Sequence, residues 1–239
     1  MTDRNPASAV RRPSSVETWY RIGVIIPETN TTVERDFWRN LPPTVTTHPS
    51  RLPGTGGSIG GLDKIIDVAI PAAARQLAYV RPHVVVNGVT MVSSLRGNAY
   101  EDELSEELGR LAGAPTLSAM SETRRQLREL GAKRIAAISP YHDDHNVKVK
   151  AGLEAAGFEV TAFYGMGITD NFELCAVPPD QVFAFAIEKL SDVPADAILC
   201  MSTALRAVEC LPQLRAAFPV PVVASNDAAL QACRRILGL

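Results

Sequence analysis

The segment Arg21-Ile22-Gly23-Val24-Ile25-Ile26-Pro27 returns 113 residues later as Arg134-Ile135-Ala136-Ala137-Ile138-Ser139-Pro140. The same offset carries Val85-Val86-Asn87-Gly88-Val89-Thr90 onto Ile198-Leu199-Cys200-Met201-Ser202-Thr203. An X-Pro step that opens a further apolar run is also repeated, at 114–118 and 220–224. Because each copy contains a strand, a long gap and a strand ending in Thr, the chain is a duplicated half-domain. Pockets favour the interface between domains, so the repeat predicts a functional site where the two halves face each other.

Short β-branched runs alternate with helical patterns, which is typical of parallel sheets with helices on their faces. The run Val84–Val86 lacks polar alternation, as a strand buried on both faces should. Predicted strands lie at 21–27, 45–52, 83–90, 115–119, 134–140, 158–164, 197–203 and 221–225. Predicted helices lie near 31–40, 62–80, 99–112, 121–131, 144–156, 179–190, 205–217 and 227–237. Pro71 is expected to divide 62–80 into a short turn and a helix that starts near it.

The predicted fold class is α/β, with two pseudo-symmetric doubly wound halves and the site in the cleft between them. Each half is expected to hold a small four-stranded parallel sheet flanked by helices. The domain prediction has three parts: a disordered tail at 1–18, a first half at 19–120 plus 221–239, and a second half at 121–220. Assigning 221–239 to the first half allows the C-terminal helix to be exchanged between the halves.

The composition indicates an ordinary globular protein, with 46 % hydrophobic and 21 % charged residues among 239. With a net charge of −2, the chain lacks the excess of positive charge that is typical of nucleic-acid-binding proteins. No segment approaches the roughly 20 apolar residues that span a bilayer, so no membrane partner is expected. The polar N-terminus lacks the apolar core of a secretory signal, and the four cysteines show no paired spacing. A cytoplasmic protein with reduced thiols is predicted.

The first strand ends in Pro27-Glu28-Thr29-Asn30-Thr31-Thr32, which leads into a helix N-terminus. Unpaired N–H groups and the helix dipole make such an end a site for anions. Simple helix capping is the alternative, because Asn and Thr are common N-caps. One cap needs one such residue, so the run of four polar residues favours a carboxylate-binding role.

The second copy of this strand ends in Pro140-Tyr141-His142-Asp143-Asp144-His145-Asn146. A Tyr at a strand end can donate a hydrogen bond to a developing oxyanion. His142 and His145 flank two acids, but their spacing does not present one ligand face as an i, i+4 pair does. An acid-capped, solvated helix start is favoured, and no metal is predicted.

The third strand of the second copy ends in Ser202-Thr203-Ala204. No G-x-S-x-G elbow surrounds Ser202, so a hydrogen-bonding hydroxyl is a better interpretation than a nucleophile. Cys200 lies two residues earlier on the same strand face. A buried cysteine there is more often a small hydrophobe than a catalytic thiol, and its catalytic use stays open as an alternative.

Several segments together resemble the aspartate/glutamate racemase superfamily, in the branch of maleate cis–trans isomerase and arylmalonate decarboxylase. The resemblance covers nearly all of 20–238. It is carried in order by IGVIIPETNTTVE (22–34), SSLRG (93–97), ISPYHDDHN (138–146), GMGITDN (165–171) and PVVASNDAAL (221–230). Each motif is weak by itself, whereas the ordered set combined with the duplication is specific.

The resemblance implies cofactor-free chemistry at the carbon next to a carboxylate, so no cofactor is expected. In this family, cysteines from the two halves act as acid, base or nucleophile. The matching positions here are Val89 and Ser202, and neither carries a thiol. A hydroxyl is a far poorer acid or base than a thiol, whose ordinary pKa is about 8.5.

The carboxylate-binding positions of the family are better kept than its thiols. The resemblance implies catalytic roles for Tyr141 and Ser202. It also implies a set of substrate-binding residues, namely Asn30, Thr31, Thr90, Met91, Asn171 and Thr203. The ligand expected in this cradle is a small carboxylate or dicarboxylate.

The first functional hypothesis is an enzyme, a decarboxylating lyase or an isomerase, that stabilises an enediolate in this cradle. Because Val89 cannot take a proton, two-base racemisation is not expected, and activity should be carried mainly by the second copy. The second hypothesis is a catalytically inactive protein that binds or senses a small carboxylate. The sequence leaves the substrate, the reaction and the oligomeric state open, and a homo-oligomer is compatible with it.

Overall fold

The computed structural model describes residues 19–54 and 59–239. The predicted tail at 1–18 lies outside this range. Two separate four-stranded sheets contain all the strands of the described residues, and every paired neighbour is parallel. The predicted fold class is confirmed.

The first sheet has the order β2-β1-β3-β4 and the second has β6-β5-β7-β8. The strands are β1 (Tyr20–Pro27), β2 (Val45–Leu52), β3 (Val84–Asn87), β4 (Thr116–Ser118), β5 (Arg134–Tyr141), β6 (Glu159–Ile168), β7 (Ala197–Cys200) and β8 (Val222–Ala224). Ile22 pairs with Val84 in the first sheet, and Ile135 pairs with Ala197 in the second. These two pairs are related by the 113-residue offset, so the duplication extends to strand register.

Eleven α-helices cover the described part of the chain. They are α1 (Thr32–Asn40), α2 (Ile59–Lys64), α3 (Ile70–Ala78), α4 (Met91–Arg96), α5 (Asn98–Ala112), α6 (Ala119–Glu129), α7 (Asp143–Ala155), α8 (Glu173–Ala176), α9 (Pro179–Leu190), α10 (Ala207–Ala217) and α11 (Ser225–Leu237). The short helices α4 and α8 were not predicted, because six and four residues are too few to show helical periodicity. None of the described helices is long and apolar enough to cross a membrane.

A helix starts next to Pro71, as predicted, but the residues before it are helical and do not form a short turn. A π-helical turn (Ile65–Ala69) joins α2 to α3, and Pro71 lies in the first turn of α3. Proline lacks the N–H that an α-helix needs and crowds the carbonyl one turn earlier. The wider π turn removes this conflict, so the segment stays helical through the proline.

Each sheet is buried on both faces, because alternate residues of one strand enter different apolar clusters. In β1, Ile25 packs with Leu104 and Leu108 on one face, while Val24 packs with Phe37 on the other. This double burial explains the unbroken apolar runs of the central strands.

The two halves exchange their last helices. Helix α6 follows β4, but its Met120 and Leu127 pack with Ile135 of the second sheet. Helix α11 follows β8, but its Leu230 and Cys233 pack in the apolar cluster of the first sheet. The predicted division placed the whole of 221–239 with the first half. The structure differs for β8, which pairs with β7 of the second sheet.

Candidate active site

A cavity of about 480 Å³ lies between the carboxyl ends of the two sheets. Its wall combines the loop after β1, the β3–α4 junction, the end of β5, the β6–α8 segment and the loop after β7. Ligand sites of open parallel sheets form at this end of the strands. The duplication therefore brings two such ends together around one cavity.

Asn30 is a buried polar residue of the cavity wall and is held from both sides. Its Oδ1 accepts the backbone N–H groups of Thr32 at 3.0 Å and Val33 at 3.1 Å, so its side chain caps α1. Its Nδ2 donates to Oγ1 of Thr203 at 3.2 Å. The helix-capping role and a position in the cavity wall therefore coexist in one side chain.

Thr203 joins the two halves at the cavity. Its hydroxyl donates to the Gly88 carbonyl at 2.8 Å, and its own carbonyl accepts from Asn226 Nδ2 at 3.0 Å. A Cβ at Gly88 would lie 3.2 Å from Ile26 Cγ2 and 3.3 Å from the Ile25 carbonyl. Glycine permits this close approach of β3 to β1, which brings the Gly88 carbonyl to Thr203.

Three hydroxyls form a chain across the site. Tyr141 Oη lies 3.3 Å from Thr90 Oγ1 and 2.8 Å from Ser202 Oγ. The Ser202 hydroxyl also accepts the Ala204 N–H at 3.1 Å. Burial raises the pKa of Tyr141, and the hydrogen bonds from Ser202 and Thr90 offset part of that rise. The phenol is therefore protonated at neutral pH and serves as a hydrogen-bond donor.

The loop that holds these three hydroxyls has an unusual backbone conformation. Ser202 has a φ of 122°, in the region that favours glycine. Its N–H donates to Ser225 Oγ at 3.2 Å, and this bond helps to hold the strained residue.

Close packing also shapes the other side of the site, where a Cβ at Gly165 would collide with the Tyr141 carbonyl and with Asn146 Nδ2. Glycine at 165 lets β6 pass close beneath the start of α7.

Most of the predicted site residues line the cavity, and two do not. Lining residues from the predicted set are Asn30, Val89, Thr90, Met91, Tyr141, Asn171 and Thr203. Thr31 is exposed and outside the wall, because Asn30 rather than Thr31 turns into the cleft at the start of α1. Ser202 also lies outside the wall and contacts it through hydrogen bonds with the Tyr141 hydroxyl and the Ala204 N–H. The functional roles of these residues stay predictions.

Cys200 does not reach the cavity. It is fully buried among apolar side chains of the second half, and burial raises its pKa far above the usual range. The alternative that Cys200 replaces a lost thiol therefore has no support from its position.

Cys175 and His145 are among the lining residues that were not predicted as site residues. Cys175 of α8 lines the cavity at 7 % exposure. His145 also lines it, and its ring centroid lies 4.1 Å from that of Tyr141. Neither residue had a sequence signal, because Tyr141 ends β5 while His145 lies in the first turn of α7, and only the fold brings α8 with Cys175 to the cleft.

His145 is neutral at ordinary pH. Burial lowers its pKa to about 4, and the nearby His142 and Lys148 act in the same direction. Among the described residues, no group of three or more His, Cys, Asp or Glu side chains could hold a metal ion.

One part of the wall is apolar. Its side chains are Leu52, Leu62, Ile65, Ile66, Leu95, Ile168 and Leu174. Neither Lys nor Arg occurs among the described lining residues. A carboxylate bound here would therefore be held by neutral hydrogen-bond donors beside an apolar surface.

Comparisons with known proteins agree with this architecture. A sequence profile described as arylmalonate decarboxylase matches residues 22–239. An arylmalonate decarboxylase from Bordetella bronchiseptica is 27 % identical over 91 % of this chain and 90 % of its own length. A maleate isomerase from Geobacillus stearothermophilus is 28 % identical over 75 % of this chain and 76 % of its own length.

Solved structures show the same fold. The crystal structure of a maleate isomerase from Pseudomonas putida S16 with maleate superposes with a TM-score of 0.83, at 22 % identity and 92 % coverage of both chains. A maleate cis-trans isomerase from Nocardia farcinica gives 0.80 at 25 % identity, covering 92 % of this chain and 93 % of that one. With its profile match across 22–239 and its duplicated fold, the chain belongs to the arylmalonate decarboxylase family.

Proposed function

We propose that this protein is a cofactor-independent enzyme that acts at the α-carbon of a small carboxylate or dicarboxylate. The observation that carries the proposal is the hydroxyl chain of Thr90, Tyr141 and Ser202 at the cavity that Asn30 and Thr203 line. Relatives named as arylmalonate decarboxylase and maleate isomerase support the class of reaction.

The chemistry follows from the protonation state of Tyr141. Loss of carbon dioxide or of a proton from the α-carbon leaves the bonding electron pair behind, as negative charge on the oxygens of the remaining carboxylate. A protonated phenol that is already held by two hydroxyls can donate to those oxygens without reorganising. Such preorganised donors stabilise the transition state strongly, because they are worth more in a site that excludes water.

The apolar wall favours a substrate with an apolar substituent. A bare malonate or maleate would leave most of a 480 Å³ cavity unfilled. A malonate-type dicarboxylate that carries an aryl or alkyl group would bury that group against Leu62, Ile65 and Ile66 while its carboxylate meets the polar side. Decarboxylation is therefore the reaction that the cavity supports best, and isomerisation of a maleate-type substrate is next.

The first experiment measures binding and turnover. Thermal-shift screening with phenylmalonate, malonate, maleate and succinate identifies ligands, and NMR in D2O follows carbon dioxide loss or deuterium entry at the α-carbon. Tyr141→Phe should lower turnover by roughly 10²–10³-fold, as expected for loss of one oxyanion donor. Tyr164→Phe is the matched control, because Tyr164 is 40 % exposed and lies outside the cavity wall. Full activity in both Tyr141→Phe and Ser202→Ala would refute these roles.

The second candidate is a protein that binds a small carboxylate without turning it over. It is favoured by one observation: neither Val89 nor Ser202 supplies a thiol, and Ser202 does not line the cavity. The same experiment separates the two functions. A ligand that raises the melting temperature, is unchanged after long incubation and takes up no deuterium would identify a binding protein.

A further inference from the structure

An arginine holds the loop between β1 and α1 (28–31), which carries Asn30 into the cavity wall. Arg51 lies near the end of β2, where it pairs with Ile26 of β1. Its Nη1 donates to the Glu28 carbonyl at 3.1 Å and to the Asn30 carbonyl at 2.9 Å. One guanidinium nitrogen therefore joins two turns of main chain on either side of residue 29.

Arg51 reaches this β1–α1 loop from the side opposite to the cavity. Successive residues of a strand point to opposite faces of its sheet. Leu52 is buried and lines the cavity, whereas Arg51 does not belong to the cavity wall. Its other terminal nitrogen, Nη2, pairs with Glu34 in the first turn of α1. Arg51 therefore ties both the loop and the helix that follows it to the end of β2.

The two bonds to carbonyls fix the orientation of the peptide groups in the loop. A trans peptide unit is planar, and its N–H points opposite to its C=O. Because the Glu28 and Asn30 carbonyls accept from Arg51, the N–H groups of Thr29 and Thr31 face away from the guanidinium. The same restraint holds the main chain of Asn30, whose side chain caps α1 and lines the cavity.

The charge of the cavity wall gives a second reason for a cation at this place. Glu28 lines the cavity, and neither Lys nor Arg occurs among the described lining residues. A bound carboxylate would therefore meet a like charge in the wall without a compensating cation. Arg51 places a positive charge directly behind the loop, on the main chain of Glu28 itself. This charge reduces the repulsion that an anionic ligand experiences.

We infer that Arg51 is a positioning residue for the substrate carboxylate, which acts through the β1–α1 loop and does not touch the substrate. Its guanidinium keeps the loop in the shape that turns Asn30 into the cavity, and its charge offsets that of Glu28. Glu34 has two opposing effects: it holds the guanidinium in place, and its own negative charge disfavours a nearby anion. The inference rests on the proposed function for the class of ligand and names the residue that shapes its binding loop.

Replacement of the arginine tests the positioning role. Calorimetric titration with phenylmalonate measures the Kd, and NMR in D2O measures turnover. Arg51→Met keeps the length of the side chain but removes its donors and its charge. It should raise Kd and KM about tenfold, or ~1.4 kcal/mol, with a smaller change in kcat, because the residue does not touch the reacting atoms.

Arg35→Met is the matched control. Arg35 lies on α1 and forms a similar partly exposed ion pair, with Glu209 at 2.8 Å, but it bonds to that carboxylate and not to the loop carbonyls. Its replacement should leave Kd and KM unchanged. An unchanged Kd in Arg51→Met, or equal losses in Arg51→Met and Arg35→Met, would overturn the inference.

Two conservative variants separate positioning from a purely structural ion pair. Arg51→Lys keeps the charge but lacks the planar fork, so its Kd should lie between those of Arg51→Met and the unaltered protein. Glu34→Gln keeps an acceptor for Nη2 and removes a negative charge, so phenylmalonate should bind about two- to threefold more tightly. If Arg51 serves only its ion pair, Glu34→Gln weakens binding as Arg51→Met does, and this result would refute the positioning role.

Failure of this inference and failure of the proposed function give different results. Normal turnover of the unaltered protein with an unchanged Kd in Arg51→Met refutes only the role of Arg51. Binding of phenylmalonate without turnover refutes the enzyme, and the Kd ratios of the variants still decide the role of Arg51. If the unaltered protein binds none of phenylmalonate, malonate, maleate and succinate, both are refuted.

Discussion

Asp36 is a buried acid beneath the site, and its replacement should change how stability depends on pH. It lies on α1 with no exposed surface, and its Oδ2 accepts a hydrogen bond from Asn226 Nδ2 at 2.7 Å. Burial raises the pKa of Asp36 from 3.8 to about 7, and Glu209 adds to the rise. The Asn226 hydrogen bond, Arg35 and Arg206 oppose it. The perturbation is Asp36→Asn, which removes the ionisable group and keeps an acceptor for Asn226.

The magnitude and sign of the pH effect follow from the pKa values of Asp36 in the unfolded chain and in the folded protein. Because the folded-state pKa is the higher one, the folded protein holds a proton that the unfolded chain releases above about pH 4. The free energy of unfolding therefore falls as pH rises from about 4 to about 7, by up to about 4 kcal/mol in total. Asp36→Asn cannot ionise. Its free energy of unfolding, relative to the unaltered protein, should rise by up to the same amount across that range.

Urea unfolding, followed by circular dichroism at several values between about pH 4.5 and about pH 8, measures this difference. Asp192→Asn is the control, because Asp192 is exposed and a carboxylate there makes none of the buried contacts of Asp36. If the profiles of Asp36→Asn and the unaltered protein are parallel over this range, the burial argument is wrong. Asn226 also donates to the Thr203 carbonyl at the cavity. The ligand affinity of Asp36→Asn therefore shows whether the substitution also alters the site.

Three further predictions concern single residues. Ser202→Gly should be more stable to urea than Ser202→Ala by about 1 kcal/mol, because glycine accepts the φ of 122° without strain; equal stability would contradict the strained backbone. Asp196→Asn should lower the melting temperature at neutral pH. Hydrogen bonds from the Arg134 backbone and side chain and from the Lys133 N–H lower the pKa of Asp196 to about 2. The effect should therefore be full above about pH 4 and disappear as pH falls through about 2, and a pH-independent loss would refute it. Gly165→Ala should lower the melting temperature and the affinity for ligands, because its Cβ collides with the Tyr141 carbonyl; unchanged melting and binding would show that β6 can move aside.

The duplication predicted two similar halves with a cleft between them, and the alternation of β-branched runs with helical patterns predicted the strands and the parallel sheets. The helix at α4 and the π turn before Pro71 escaped prediction, since six residues and a single wide turn leave no periodic signal. The exchange of α6 and α11 was only partly predicted, because an apolar helix face does not indicate which of the two sheets it packs against.

The site, like the fold, was predicted only in part. The repeat predicted a site between the two halves, and the family resemblance implied binding or catalytic roles for Asn30, Thr90, Tyr141 and Thr203, all of which line the cavity. Only the tertiary structure decided that Ser202 lies behind Tyr141 and that Cys175 enters the cavity. The physical reason is that the type and approximate bounds of an element can be read from local periodicity. The depth of a side chain, and the arrival of a short helix from a distant loop, depend on how the two halves pack together.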